Sequence, residues 1–368
     1  MATQYPAPLG QHSLRVVVTG GAGFIGSHVV ELLLAHGHQV VCLDSNARGA
    51  SNWDLVCRWL ADGRAAPTRR SDSDMILGDV CLHDNIVSAM DRAGGRPDVV
   101  LHLAAESHVD ASLTDPARAM RVNAVGTQVV ALACAERDVP LVYVSTDEVY
   151  GDIIETRWWQ DGADERDTPL NPSSPYSAGK LGGEAAVRAA VRSFGLRAVI
   201  LRGTNAWGSR QLDEKLVPIA CRLIQAGKPV PLHGGGLQVR QWLPVEDFAA
   251  AICRVGMMLV GHRVPAAPGE TPAFNVGGPE LLSVRAVVEM LARAAGVPEP
   301  RDAWEASRDR PGQDRGYHVA NHRIDRLLRS SWRSGRQISD PASLQHLLDA
   351  YGPGQARIAD YAQDGAAR

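Results

Sequence analysis

Thr146, Asp147 and Glu148 stand in a row, and Tyr176 follows with Lys180 four positions beyond it. A hydroxyl, two adjacent carboxylates and a Tyr/Lys pair are the parts needed to oxidise a sugar alcohol and then eliminate water. A phenol titrates at about pH 10 in water, so Tyr176 needs positive charge nearby to take a proton at neutral pH. Residues four apart share one helical face, which places Lys180 to supply that charge. Oxidation at C4 of a hexose makes the C5 proton acidic. One carboxylate then removes that proton while the other, protonated, donates to the departing C6 hydroxyl; each transfer is worth about 10²–10⁴ in rate. Neighbouring acids resist double ionisation, which helps keep one of them protonated.

A second set points to a dinucleotide. Gly20, Gly23 and Gly26, with Phe24 and Ile25 between the last two, follow a β-branched run at 14–19 and open an apolar helical pattern. Such a loop lets the backbone turn tightly against a pyrophosphate, and the helix start supplies free N–H groups. A buried run at 39–43 ends at Asp44, which suits an adenosine ribose and repels a 2′-phosphate, favouring NAD over NADP. Arg48 is the nearby charge that works against this preference. Asp79, followed by Val80 after a third strand, suits an adenine edge. The nicotinamide cation is then a second source of positive charge for Tyr176.

Elements must hold these residues in place. Further strands are predicted at 75–77, 99–102, 141–145 and 198–202, separated by helices near 83–93, 116–136 and 176–194. That alternation predicts an α/β fold: a Rossmann-type doubly wound parallel sheet with a smaller mixed α/β C-terminal substrate lobe. The triplet then falls just past a strand end, where carboxyl ends line the crevice. Residues 14–203 are expected to form the cofactor domain, which also carries the catalytic residues. Residues 204–350 form the lobe, with segments able to return to the sheet. Helices are expected at 213–226, 246–259 and 283–295, a strand at 238–243, and a surface excursion at 45–73. Residues 1–13 and 354–368 read as loose ends.

The chain has 368 residues, 45% hydrophobic and 21% charged, with net charge −3. This fits a globular protein without a polyanion-binding signature, so neither nucleic acid nor a membrane surface is an expected partner. No signal peptide precedes the first strand and no apolar run is long enough for a bilayer. Six scattered cysteines without a Cys-x-x-Cys argue against disulfides and thiolate metal sites, and for the cytoplasm. No metal is expected.

At these residues the chain resembles the extended short-chain dehydrogenase/reductases and, within them, the dTDP-glucose 4,6-dehydratases. The resemblance covers residues 14–330 and rests on 18–28, on 102–110 (His-Leu-Ala-Ala-Glu-Ser-His-Val-Asp), on 144–151 around the Thr-Asp-Glu triplet, and on 174–180, 214–216 and 239–243. It implies NAD and a nucleotide-sugar substrate. Ala104 joins the cofactor residues. Tyr176 takes the C4 hydroxyl proton, Lys180 holds the nicotinamide ribose, Thr146 bonds O4, Asp147 is the acid at C6 and Glu148 the base at C5. Ser107, Asn205, Glu214, Lys215 and Arg240 hold the sugar and diphosphate. A homodimer through 116–136 and 176–194 is implied as well. Departures from the family pattern fall at Ala206, Trp207, Ser209, Leu212, Asp213, Gln313 and Gly316. A 4-epimerase shares the Tyr/Lys and NAD parts but has no need of two acids. A dehydratase acting on a UDP-sugar would keep the triplet, and a catalytically silent NAD-binding protein would be expected to lack some of these residues.

Overall fold

In a computed structural model the protein is described over residues 12–47, 52–62, 74–329 and 332–352. Arg48, most of the expected leader, much of the 45–73 excursion and the C-terminal tail lie outside these. Short β-branched runs form six strands: β1 (Arg15–Thr19), β2 (Gln39–Asp44), β3 (Asp74–Leu77), β4 (Val99–His102), β5 (Leu141–Thr146) and β6 (Ala198–Gly203). Successive side chains point to opposite faces. Val16 and Val18 join one apolar cluster, Val17 the other.

Between them run α1 (Phe24–Ala35), α2 (Trp53–Asp62), α3 (His83–Arg92), α4 (Val109–Thr114), α5 (Pro116–Met120), α6 (Thr127–Glu136) and α7 (Pro175–Phe194). The single helix expected at 116–136 is interrupted: Arg121–Gly126 widens into a π-helical turn. There the Thr127 hydroxyl donates to the Asn123 carbonyl at 2.7 Å, and the Asn123 amide bonds the Glu106 backbone on both sides. α7 starts on a capping box between Ser174 and Ser177, with Pro175 at its first position, and stops at Gly195 in the left-handed region.

The second half contains β7 (Asn205–Trp207), α8 (Leu216–Gln225), β8 (Val230–His233), β9 (Val239–Pro244), α9 (Val245–Val260), β10 (Ala273–Val276), β11 (Glu280–Ser283), α10 (Val284–Ala294), β12 (Trp304–Ser307), α11 (His322–Leu328) and α12 (Pro341–Ala350). β10 returns to pair with β6, giving a seven-stranded parallel sheet in the order β3-β2-β1-β4-β5-β6-β10. α9 returns too, packing its apolar side with α1 on one face of the sheet. Trp207, α8, α10 and α12 enclose a separate core. The strand at 273–276 was not anticipated, because four residues after a Pro-rich loop carry almost no periodic signal.

Candidate active site

The strand ends converge on one cavity of about 860 Å³, placed where the strand order reverses between β1 and β4. Gly20, at the end of β1, has φ +72°, and a Cβ there would lie 2.7 Å from the Ala104 nitrogen. A Cβ on Gly26 would lie 2.0 Å from the Gly20 carbonyl oxygen, so the helix can start this close to the loop only with glycine. α1 begins with no side-chain cap, which leaves its first N–H groups for a ligand. Asp44 accepts from the Ala22 and Asn46 N–H groups at 3.0 and 2.9 Å. Asp79 pairs with Arg121 at 2.9 Å. Gly20, Gly23, Phe24, Ile25, Gly26, Asp44, Asp79, Val80 and Ala104 all line the cavity, and this donor set fits a dinucleotide.

At the other end of the same cavity stand Thr146, Asp147, Glu148, Tyr176 and Lys180. β5 runs straight into a 3-10 turn, Asp147–Tyr150, whose first N–H groups are capped by the Thr146 hydroxyl at 3.3 Å from Glu148 N. Thr146 also donates to Asp147 Oδ1 at 3.2 Å, while Asp147 Oδ2 is buried without a hydrogen-bond partner. Burial, then the Glu148 charge, pushes the Asp147 carboxyl well above its ordinary range, against a weaker pull from Arg240. Burial also raises Glu148, but Arg240, Arg310 and Lys215 oppose the shift and Asp314 adds to it. The two acids therefore sit in unequal surroundings.

Lys180 donates to the Val144 carbonyl at 2.5 Å, and its ammonium lies 4.4 Å from the centre of the Tyr143 ring. Burial pushes it down to about 7, opposed by Glu184. The Tyr176 phenol is raised by burial and by Glu148, with a hydrogen bond between it and Thr146 opposing. The expected help from Lys180 is not seen in this state, because the ammonium is turned toward Val144 and Tyr143. Tyr143 was not singled out from the sequence. Its hydroxyl donates to the Lys180 carbonyl at 3.1 Å and its ring stacks on His102, which burial keeps neutral.

Ser107, Asn205 and Lys215 line the cavity, and Lys215 donates to the Ser107 carbonyl at 2.9 Å. Asn205 Oδ1 is buried with no hydrogen-bond partner. Glu214 and Arg240 are not in the lining; Arg240 is buried behind it, bonded to the Val239 and Asp314 carbonyls and stacked on Tyr317. Of the departures from the family pattern, Ala206 and Leu212 line the cavity. Elsewhere, Asp164, Glu165 and His322 bring ligand atoms within 4.8 Å of one another, with Arg323 3.9 Å from Glu165. All six cysteines are free and four are buried. No helix among the described residues is long and apolar enough to cross a membrane.

The model of the NAD dependent epimerase/dehydratase family matches residues 16–277. The chain belongs to this family. Within it, the chain is 39% identical over 323 residues to a dTDP-glucose 4,6-dehydratase of Streptomyces griseus, covering 85% of this chain and 88% of that one. Among solved structures, a double mutant of DesIV, a dTDP-glucose 4,6-dehydratase from Streptomyces venezuelae with NAD bound, superposes with a TM-score of 0.75 at 31% identity. It covers 92% of this chain and 97% of its own. The UDP-glucose 4-epimerase of Thermus thermophilus, in complex with NAD, follows at TM-score 0.72 and 29% identity, covering 90% and 98%. As a member of the epimerase/dehydratase family and its dTDP-glucose 4,6-dehydratase branch, the chain has the expected parallel doubly wound sheet and uses NAD.

Proposed function

We propose that this protein converts dTDP-glucose to dTDP-4-keto-6-deoxyglucose with NAD held in the cavity. The observation that carries this reading is the unequal environment of Asp147 and Glu148 beside Thr146, Tyr176 and Lys180. Tyr176 takes the proton of the C4 hydroxyl, Thr146 bonds O4, and Lys180 stands on the ribose side. NAD, when bound, supplies the acceptor that takes one hydride from C4 and gives it back at C6. Glu148, nearer to the cationic groups, is the base that removes the C5 proton. Asp147, held protonated by burial and by its neighbour, gives its proton to the C6 hydroxyl, which leaves as water. The C5 position is then reprotonated, so the sum is loss of one water with no net oxidation.

Gly20, Gly23, Gly26 and the start of α1 hold the pyrophosphate, and Asp44 and Asp79 hold the adenosine. Ser107, Asn205 and Lys215 hold the sugar nucleotide from the cavity wall, with Arg240 buried behind it. A 4-epimerase has no use for two acids in this arrangement, which favours the dehydratase. Six free thiols support work in the cytoplasm. The helical pair α5–α6 and α7 leaves Met120 and Val125 42% and 49% exposed, which supports a homodimer through this face.

The test is turnover of a panel of dTDP-, UDP-, CDP- and GDP-hexoses, read by the absorbance of a 4-keto product in alkali. Only dTDP-glucose is expected to react well; efficient turnover of a UDP-hexose instead would overturn the substrate assignment. Asp147→Asn and Glu148→Gln should each slow dehydration by about 10²–10⁴ while enzyme-bound NADH still accumulates.

A further inference from the structure

The Glu184 carboxylate is fully buried under the Tyr/Lys helix, and no step above uses it. It stands one turn after Lys180 in α7. Oε1 accepts from the Ser145 hydroxyl of β5 at 2.8 Å and from Arg202 Nε of β6 at 2.8 Å, while Oε2 accepts from Arg202 Nη2 at 2.7 Å. Arg188 adds a contact at 3.3 Å. Arg202 Nη1 donates to the Tyr150 hydroxyl at 2.6 Å, and that hydroxyl donates to Asn275 Oδ1 of β10 at 2.8 Å. Ser145 immediately precedes Thr146, and Tyr150 closes the 3-10 turn that starts at Asp147. The network thus grips the triplet at both ends and ties it to the helix that carries Tyr176 and Lys180.

A buried ion pair is a poor source of stability, because desolvation offsets the attraction. What this one supplies is fixed geometry between two groups of reacting side chains. We propose that Glu184 is a positioning residue, clamping the 146–148 loop to the Tyr176/Lys180 helix and acting as the counter-charge of Lys180. The groups that face Lys180 are Glu184 on its own helix, whose carboxylate also holds Arg202 of β6 and Arg188 of α7, the Tyr143 ring and Val144 carbonyl on β5, and His102 on β4 beyond Tyr143. His102 is neutral and Tyr143 stays a phenol, since burial moves both away from their charged forms. Glu184 is the anion among them, and it opposes the burial that lowers Lys180.

The kinetic part of the test rests on the assigned reaction; the titration part does not. Competitive acylation of Lys180 across pH, read by mass spectrometry, needs no substrate. In Glu184→Gln the apparent pKa of Lys180 should fall by about one unit or more, and an unchanged value overturns the counter-charge role. With dTDP-glucose, Glu184→Gln should lose kcat by about 10²-fold while KM stays near wild type, with partial recovery in Glu184→Asp. Ser145→Ala removes one link and Tyr150→Phe the two that its hydroxyl makes, and both leave the ion pair whole, so they test the clamp even where Glu184→Gln does not fold. Each should lower kcat by about tenfold without moving the Lys180 pKa. Full kcat in both, or a loss confined to thermal stability, overturns the clamp. A wild type inactive on dTDP-glucose sinks the assigned reaction, and the acylation result then decides on Glu184 alone.

Discussion

Asp147 shows most clearly how a reacting residue is set against the fold that holds it. Burial and Glu148 keep its carboxyl above the ordinary range, so the unfolded chain gives up this proton at lower pH than the folded one. Folding therefore loses stability as pH rises from about 4 toward the folded pKa, and Asp147→Asn escapes that loss. The variant should melt above wild type at about pH 8, with the gap closing near pH 4; thermal scans at several pH values check this, and a gap independent of pH contradicts it. The same residue was legible in the sequence because its neighbours in the chain are also its neighbours in the site. Glu184 was not. Its partners Ser145, Arg202 and, through Arg202, Tyr150 are distant in sequence, and each alone looks like an ordinary polar residue. Tyr143 was hidden for a related reason, since an aromatic in a strand reads as core.

At the scale of elements, α7 is the beam that carries Tyr176 and Lys180, and its seat is set by glycines. A Cβ on Gly183 would stand 2.3 Å from Tyr143 Oη and 2.6 Å from the Asn123 carbonyl oxygen. On Gly182 it would meet the Ala124 Cβ at 2.9 Å. Gly183→Ala should cost about 1–3 kcal/mol in urea unfolding and reduce kcat, by pushing the helix off β5 and the π-helical turn. Gly182→Ala should cost less, since a single methyl is in its way; equal effects would contradict this account of the seat. Helical periodicity at 116–136 and 176–194 showed in the sequence, whereas the π-helical turn did not. One added residue in a turn barely changes the spacing of apolar side chains, and what fixes it is the Asn123 amide clasping Glu106 across space.

For the whole molecule, the helices that seat the catalytic groups also present apolar side chains outward. Met120 and Val125 should lie in the contact between two copies. Sedimentation should give twice the chain mass for the wild type and the chain mass for a Met120→Glu/Val125→Arg variant. A wild type that sediments as a single chain contradicts the proposed dimer. Most of the first half of the fold was legible because strand and helix alternate in order, but α2, inside the expected surface excursion, was not, and it buries Val56, Trp59 and Leu60. In the second half α8, β9, α9 and α10 were legible, but short strands such as β7, β8 and β12 were not, since they pair with partners far along the chain. β10 is the extreme case, and it has a consequence for how the protein is made. A ribosome delivers β6 together with every catalytic residue, yet β6 keeps a bare row of N–H and C=O groups until residue 276 has emerged. The stretch from β7 to α9 is synthesised in that interval, so closure of the sheet comes late in translation, and a nascent chain that already holds every catalytic residue still lacks its outer edge.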